Sequence, residues 1–459
     1  MARTREATEG VFVKRSTLAL SVTVLVIVAL AAPVSANPPT YKQHLETVGF
    51  DTLGEPSNGL NSEVVVDFAR QFAYVSSANF DPTEDDIFVK AVDVSDPANP
   101  VVTDEQATLD GFGTDAGNFG PFDVKIAGNV LAASTQGIPS SNPGITLMDI
   151  SNPADPVPVA HLDQVAIKSP SGSHNSFLWA DPVTNKTWLF ATGLNNTSLM
   201  LFDVTNPGTP IFRAEYDNGA PFVHDNFVQE VGDRVFNYQA GSIGVEILDV
   251  TDYVRGGAPS PIPSAHVVGK NHYTSDPADA ATVTRPGFAH YIEPTAGGDV
   301  IWVGDEAGCG KAALVRSQDS SNLPAVGGGA KFLSELGTFT SNPDIVQCSG
   351  VIHGGPNNSQ LHDFRWTGHN FDVLANDLLV RGNYGKGVDV WDVSDPAAPT
   401  LVAKSRGLNA GTGKENKADP GRDKELENPT FIWGAVSDGE LIYASDINQG
   451  LYVLRLLEN

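Results

Sequence analysis

The stretch Val92-Asp93-Val94-Ser95-Asp96-Pro97-Ala98-Asn99-Pro100 decides the fold, because it recurs along the chain. Copies at residues 148–156, 202–210 and 391–399 keep the Pro-x-x-Pro ending, whereas the copy at 248–252 stops before the prolines. Alternation of apolar and polar residues with β-branched side chains predicts a strand, and the following Asp/Asn-Pro predicts a tight turn. Each copy therefore predicts a strand, a turn and an outer strand that begins near the second proline.

The aspartate shared by all copies is interpreted as part of the turn and not as a ligand. Asp followed by Ser or Thr and then Asp or Asn accepts hydrogen bonds from nearby backbone N–H groups. This local chemistry explains the repetition without any bound group.

Counting the copies gives seven units. The interval between Asp249 and Asp392 is long enough for two units, and a degenerate copy at 313–319 lies within it. The C-terminal segment 450–456 has the same pattern but no turn or strand after it. Two further strands precede each repeated stretch, such as 176–180 and 187–191, so each unit is a four-stranded antiparallel meander.

Seven such units predict an all-β fold, a seven-bladed β-propeller. The last unit lacks an outer strand, and the segment at about residues 43–49 resembles the outer strands of the other units. We expect it to pair with the C-terminal blade and close the ring. The alternative is an open row of sheets, which would leave two bare edges.

The N-terminus is typical of a secretory signal peptide. Lys14-Arg15 precede an apolar run from about Leu18 to Ala32, and Val34-Ser35-Ala36 fits a cleavage site for small residues. We therefore expect residues 1–36 to be a signal peptide and residues 37–459 to be the propeller; an uncleaved membrane anchor is the alternative. The expected location is secreted, extracellular or associated with the cell envelope.

Charge and cysteine content narrow the class of protein. The formal net charge of −27 disfavours nucleic acid and anionic membranes as partners. The two cysteines, Cys309 and Cys348, are expected to form a disulfide, because an isolated pair in an exported chain more often does so than binds metal.

The repeat, together with the ending Gly450-Leu451-Tyr452-Val453-Leu454-Arg455-Leu456, resembles the LVIVD repeat of exported bacterial and archaeal propellers. The resemblance extends over most of residues 40–457, with units one and five departing from the consensus. It implies the propeller fold. It implies no particular reaction, since that family has no generally assigned chemistry.

Histidines recur at the beginning of the innermost strands, on the face of the ring that we call the channel face. They are His174, His224, His290 and His362. If they converge at the axis, they can bind a divalent transition metal, or act as acid and base on a substrate without metal. The alternative is that they pack and hydrogen-bond in each blade without binding anything. We expect His369 to lie toward the opposite face, and His161, His266 and His272 at the periphery.

Polar residues that follow the second strands belong to the same face and are further candidates for ligand binding: Gln239, Glu306, Arg381 and Asn383. The long loops 269–287, 340–360 and 405–428 are also placed there, where loops on a rigid scaffold commonly carry recognition.

The sequence thus favours a monomeric, exported propeller that binds a polar ligand, a glycan or a protein partner on its channel face. The alternative is a metal-dependent enzyme, a lyase, hydrolase or oxidase, that uses the histidine cluster. No Gly-x-Ser-x-Gly elbow, phosphate-binding loop or zinc-finger spacing selects a reaction.

Overall fold

The computed structural model describes residues 44–54, 60–78, 88–112, 117–193, 199–217, 219, 222–272, 288–306, 314–340, 368–384, 387–405 and 430–457. These residues form seven sheets: six have four antiparallel strands, and one carries a fifth strand. The fold is the predicted seven-bladed propeller. The signal-peptide segment 1–36 lies outside the described residues.

The strands follow one another blade by blade along the chain. The first strand, β1 (His44–Asp51), belongs to the last blade. Blade 1 consists of β2 (Leu60–Asp67), β3 (Phe72–Ala78), β4 (Phe88–Asp93) and β5 (Val101–Ala107). Blade 2 consists of β6 (Asp123–Ala127), β7 (Val130–Thr135), β8 (Gly144–Asp149) and β9 (Val157–Asp163). Blade 3 consists of β10 (Ser176–Asp181), β11 (Lys186–Ala191), β12 (Leu199–Asp203) and β13 (Ile211–Tyr216). Blade 4 consists of β14 (Val223–Val231), β15 (Arg234–Gly241), β16 (Gly244–Asp249) and β17 (Val267–His272), with β21 (Lys331–Phe332) as its fifth strand. Blade 5 consists of β18 (Phe288–Pro294), β19 (Val300–Glu306), β20 (Leu314–Asp319) and β22 (Glu335–Thr340). Blade 6 consists of β23 (Phe371–Val373), β24 (Leu378–Asn383), β25 (Gly387–Asp392) and β26 (Thr400–Lys404). Blade 7 consists of β27 (Ile432–Ser437), β28 (Leu441–Asp446) and β29 (Gly450–Leu457), with β1 as its outermost strand.

Ring closure follows the prediction. Strand β1 pairs antiparallel with β29, from His44 opposite Leu457 to Asp51 opposite Leu451. A strand from the beginning of the described chain therefore completes the sheet that ends it, so that β29 is not left as an open edge.

The repeated stretch forms the predicted turn in its four complete copies, and in the copy at 248–252 the same aspartate contact leads into a short helix. The carboxylate of Asp149 accepts hydrogen bonds from the Ser151 backbone N–H at 2.8 Å and from its hydroxyl at 2.5 Å. The degenerate copy does the same, with Asp319 accepting from Ser321 N at 3.0 Å. These bonds hold the pKa of both carboxyls below the usual aspartate value. The repeated aspartate is thus a turn residue, as predicted.

Apolar side chains fill the spaces between blades. Within the described residues, seven buried clusters each join two neighbouring blades; one contains Trp188 and Phe190 of blade 3 with Val235 and Leu248 of blade 4. Burial of both faces of each sheet explains why the inner strands are rich in Val, Ile, Leu and aromatic residues.

Helix is scarce in the described part of the chain, as its composition predicts. It comprises α1 (Thr251–Val254) and two 3₁₀ turns, Pro139–Ser141 and Ser264–His266. No helix there has the length and apolar character needed to cross a membrane. One feature was not predicted: the connection after β20 runs back to blade 4, where β21 pairs parallel with β17.

Candidate functional site

Backbone irregularities at the channel-face end of the innermost strands position the site. In blades 4, 5 and 7 the pairing of the first two strands skips one residue, which is His224, His290 and Trp433 respectively. Each skip is a β-bulge, which re-aims side chains locally. Two consecutive residues, the bulged residue and the next, are thereby brought to the axis.

Six side chains from six blades form a closed ring around the axis, which we call the axial ring. The centroid separations of neighbouring rings are 5.3 Å from Phe122 to His174, 4.4 Å to His224, 4.0 Å to His290, 4.3 Å to His369, 4.5 Å to Trp433 and 6.1 Å back to Phe122. His224, His290 and His369 are buried, and His174 is partly buried. The structure therefore brings together three of the four histidines named from the sequence.

The fourth histidine of the axial ring is one that the sequence analysis had placed elsewhere. His369, expected toward the opposite face, occupies the axial position of blade 6, because its backbone N–H donates to Gly382 O at the beginning of the blade. His362 lies outside the described residues. In blade 7 the axial position is held by Trp433.

Hydrogen bonds fix the tautomer of two imidazoles. His224 Nδ1 lies 3.0 Å from His290 O, and His369 Nδ1 lies 2.7 Å from Trp433 O. A carbonyl oxygen only accepts, so Nδ1 carries the proton in both. In a neutral imidazole Nε2 then has the lone pair, which is the form that accepts a hydrogen bond or binds a metal.

Burial keeps the imidazoles of the ring neutral. It lowers the pKa of His174 to about 4 and that of His369 to about 3. For His224 and His290, burial and the neighbouring imidazoles lower the pKa well below the ordinary histidine value. At neutral pH the ring carries no charge, and each imidazole combines one donor with one acceptor.

A layer of acids and amides lies next to the ring. Four of its members directly follow ring residues, and Glu63 and Lys125 complete it. Glu63 accepts from the Asn370 amide, Asp225 accepts from the Asn175 amide, and Asp123 pairs with Lys125. Gly434 gives Glu63 room, since a Cβ at that position would lie 2.3 Å from Glu63 Oε1. We call this set, Glu63, Asp123, Asn175, Asp225 and Asn370 with Lys125, the axial acid layer.

The pKa of two carboxyl groups in this layer is raised. Burial raises the pKa of Glu63 to about 7, and it raises that of Asp225 well above the ordinary value. Burial opposes the charge on Lys125, but the neighbouring carboxylates outweigh it, Asp123 most strongly, and raise the pKa of the ammonium. Further along the axis, burial raises the pKa of Asp372 to about 6. Groups that titrate near neutral pH in a buried layer are typical of functional sites.

Three of the other candidates from the sequence bind partners within their own blades. Gln239 donates to Asn237 at 2.9 Å within blade 4. Arg381 is buried in blade 6, where it binds the Asp389 carboxylate through Nε at 3.1 Å and Nη2 at 2.9 Å. The amide of Asn383 donates to the same carboxylate. Glu306 ends β19, and its side chain lies outside the described residues.

Three further histidines in the described part of the chain are held by local contacts. His161 contacts Thr146 Oγ1 at 3.0 Å, and His272 donates to Glu246 at 2.8 Å. His266 is buried, with Nδ1 2.9 Å from Asp249 O beside a repeated turn. Cys309 and Cys348 lie outside the described residues, so the disulfide stays a prediction.

The acid layer and the ring member Trp433 were not predicted from the sequence. A signal for the acid layer exists, because an aromatic or imidazole residue followed by an acid or amide recurs as Phe122-Asp123, His174-Asn175, His224-Asp225 and His369-Asn370. In blade 4 the bulge at His224 accounts for two consecutive inward side chains, those of His224 and Asp225.

The ring and the layer together can bind a polar group through neutral donors and acceptors above titratable carboxylates. Within the described residues, no three His, Cys, Asp or Glu side chains are arranged to hold a metal ion. The metal set named from the sequence includes His362, so the metal hypothesis stays a prediction.

Comparison with known proteins bears on the repeat. The model of the LVIVD repeat matches residues 374–405, which include the fourth complete copy of the repeated stretch. No curated protein matches the chain. Solved structures that it resembles include the β-propeller domain of Cps50 (Swd1) from Myceliophteria thermophila and Sqt1 from Chaetomium thermophilum, each at 11% identity and a TM-score of 0.49. The matches cover 87% of this chain and 98% of the former, and 91% of this chain and 100% of the latter. The chain is thus a seven-bladed β-propeller that carries the LVIVD repeat.

Proposed function

We propose that this chain is an exported propeller whose axial ring binds a polar ligand, such as a glycan or an exposed segment of a protein partner, at the channel face. The observation that carries the proposal is the closure of the ring from six blades. Histidines that only stabilise their own blades need not lie close to one another. A ligand held on the axis, in contrast, needs side chains from several blades at one position.

The chemistry of the ring suits an uncharged polar ligand. Neutral imidazoles carry hydrogen-bonding groups without a charge, which suits hydroxyl and amide groups. Phe122 and Trp433 add aromatic surface, which suits the apolar face of a sugar ring or of a peptide side chain. A hydrophobic group that joins Trp433 with Tyr384, Phe431 and Ile447 supports this side of the ring.

Export rests on the N-terminal segment. A basic pair, an apolar run and a small-residue cleavage site at Ala36 support cleavage by a signal peptidase. Mass spectrometry of protein secreted by an expression host is expected to find a mature chain beginning at Asn37. A chain that retains residues 1–36 in the membrane fraction would support the anchor instead.

The ligand proposal is tested by screening the purified protein on an array of neutral, amino and uronic-acid oligosaccharides. Any sugar that binds is then titrated against the His174→Ala variant, which removes the most accessible imidazole of the ring. We expect binding to weaken at least about tenfold, because a hydrogen-bonding group and ring surface are lost together. The matched control is His161→Ala at the outer strand of blade 2, which is expected to bind as the parent does. Equal binding by His174→Ala and the parent would remove the ring from the site.

A second candidate, a metal-dependent enzyme, is favoured by one observation. His224 and His369 both donate Nδ1–H to a backbone carbonyl, and this contact commonly orients a histidine that binds metal through Nε2. Elemental analysis of the purified protein distinguishes the two candidates. Stoichiometric zinc, copper or another transition metal that is lost on replacing His174, His224, His290 and His369 by Ala supports the enzyme; its retention in that variant places the metal elsewhere.

A further inference from the structure

A cleft at the outer edge of blades 3 and 4 forms a second site, separate from the axis. Its volume is about 520 Å³, within the range of pockets that hold small molecules. One wall is the end of blade 3 at Tyr216 and Asp217, and another is blade 4 at Glu246 and Lys270. The third comes from the connection that leads to β21, which contributes the backbone at Gly327 and Gly329.

This third wall is fastened in place from several sides. Gly327 N–H donates to Ala265 O at 3.0 Å, and Arg234 donates to Leu323 O at 3.1 Å and Pro324 O at 2.7 Å. Lys331 pairs with Asp319 at 2.9 Å where the connection ends. The cleft is therefore bounded by anchored backbone and not by a freely moving loop.

The centre of the cleft is a buried carboxylate held in one orientation. Glu246 is 5% exposed; Tyr216 donates to its Oε2 at 3.1 Å and His272 to its Oε1 at 2.8 Å. Burial and the Glu246 charge raise the pKa of the Tyr216 hydroxyl, so Tyr216 stays a donor. Glu246 therefore presents a carboxylate in a fixed orientation to the lining of the cleft.

An unpaired ammonium faces this carboxylate across the sheet. Lys270 is directly opposite Glu246 in the pairing of β16 and β17, and it is exposed. In the described part of the chain, Lys270 makes no hydrogen bond or ion pair. Asp217, also exposed, brings a second carboxylate to the lining. Two negative groups and one positive group therefore line the cleft.

We propose that this cleft binds a basic α-amino acid. The α-carboxylate would meet Lys270, and the two ammonium groups would meet Glu246 and Asp217, so that the charges of ligand and cleft are complementary. A neutral sugar would leave Lys270 without an anionic partner, and an acidic amino acid would place a second carboxylate against Glu246 or Asp217.

Calorimetric titration with L-lysine, L-glutamate and cadaverine tests the proposal, because cadaverine has both ammonium groups of lysine but no carboxylate. L-lysine is expected to bind, L-glutamate not to bind at millimolar concentration, and cadaverine to bind about tenfold more weakly than L-lysine. No heat with millimolar L-lysine, or equal affinity for L-glutamate, would overturn the proposal.

Two variants at exposed positions separate the roles of the charges without disturbing the fold. Lys270→Met is expected to reduce L-lysine affinity to that of cadaverine and to leave cadaverine binding no weaker. Asp217→Asn is expected to weaken both ligands. Glu440→Gln, an exposed acid of blade 7, is the matched control and should bind as the parent does. Unchanged L-lysine affinity in Lys270→Met would contradict the proposal. These outcomes are independent of the axial ring.

Discussion

At the scale of single residues, position on the axis decides the chemical state of histidine. His174 and His369 lose most of their hydration, which lowers their pKa to about 4 and about 3, whereas an exposed histidine titrates near 6.5. Glu63, in the adjacent layer, is shifted in the opposite direction, because burial disfavours the charged form of both acids and bases. The axis is therefore nearly neutral in spite of its many ionisable groups.

Glu63 gives a stability prediction. Its pKa is raised from 4.5 to about 7, so between these values the folded state binds more protons than the unfolded chain. The stabilisation is present at low pH and is lost as the pH rises through about 7. Glu63→Gln has no charge to desolvate. Its free energy of unfolding is therefore expected to rise by about 3 kcal/mol relative to that of the parent between pH 4.5 and pH 8.

Urea unfolding of Glu63→Gln and the parent at several pH values measures this gain. The exposed Glu440→Gln serves as the control and should show no such trend. A difference between Glu63→Gln and the parent that does not grow with pH would contradict the assignment of a raised pKa.

Gly434 gives a second prediction, about packing. A Cβ there would lie 2.3 Å from Glu63 Oε1 and 3.1 Å from Glu63 Cδ, so Gly434→Ala must displace the buried acid from Asn370. We expect a loss of about 1–3 kcal/mol in the free energy of unfolding, typical of overpacking. Introducing the same change into Glu63→Ala should cost much less, and a double-mutant cycle by urea unfolding measures the coupling. Additive effects would mean that the two positions are not in contact.

At the scale of elements, local turn chemistry made the strands predictable. The repeated stretch predicted the third strand, turn and outer strand of most blades, including the degenerate copy now seen as β20 (Leu314–Asp319). It did not predict β21, because two residues added in parallel to a sheet edge have no pattern of their own. Nor did it predict the bulges that aim His224 and His290, since a one-residue skip depends on the partner strand.

The turn itself is testable at Asp392. Its Oδ1 accepts from Ser394 N at 3.0 Å and Oγ at 2.6 Å. Asp392→Ala is expected to lower the free energy of unfolding by about 1 kcal/mol, the usual value for losing a turn or cap acceptor. Asp392→Asn keeps the acceptor and should lower it by less. Because the Ser394 bonds lower the pKa of Asp392, its contribution is present at neutral pH and falls as the pH drops through that lowered pKa. Chemical denaturation at pH 7 and pH 3 measures both effects, and equal losses for Ala and Asn would exclude the acceptor as the cause.

At the scale of the whole molecule, the sequence specified the number of blades and the manner of closure, because both follow from counting a repeat. It located the site only in part. His174, His224 and His290 share a phase of the repeat and meet as that phase implies, but His369 was assigned to the wrong face, since the beginning of a short first strand in blade 6 could not be fixed from sequence. Gln239, Arg381 and Asn383 have the residue types of ligand contacts yet bind neighbours within their own blades.

Ring closure predicts the effect of removing β1. Deleting residues 1–51 leaves β29 without its outer partner and exposes an edge that pairs with other chains. We expect this variant to aggregate or to unfold at a lower temperature, whereas deletion of residues 1–43, which keeps β1, should behave as the mature protein does. Size-exclusion chromatography and circular dichroism distinguish the two, and indistinguishable behaviour would argue against closure by β1.

The meeting of imidazoles from four blades is the central claim, and long-range ¹H–¹⁵N spectra of histidine-labelled protein test it most directly. With assignments from single His→Asn variants, His174, His224, His290 and His369 are predicted to stay neutral from pH 8 to pH 5, with the proton of His224 and His369 on Nδ1. Protonation of these four near pH 6.5, or a proton on Nε2 of His224 and His369, would show that they do not form a buried ring.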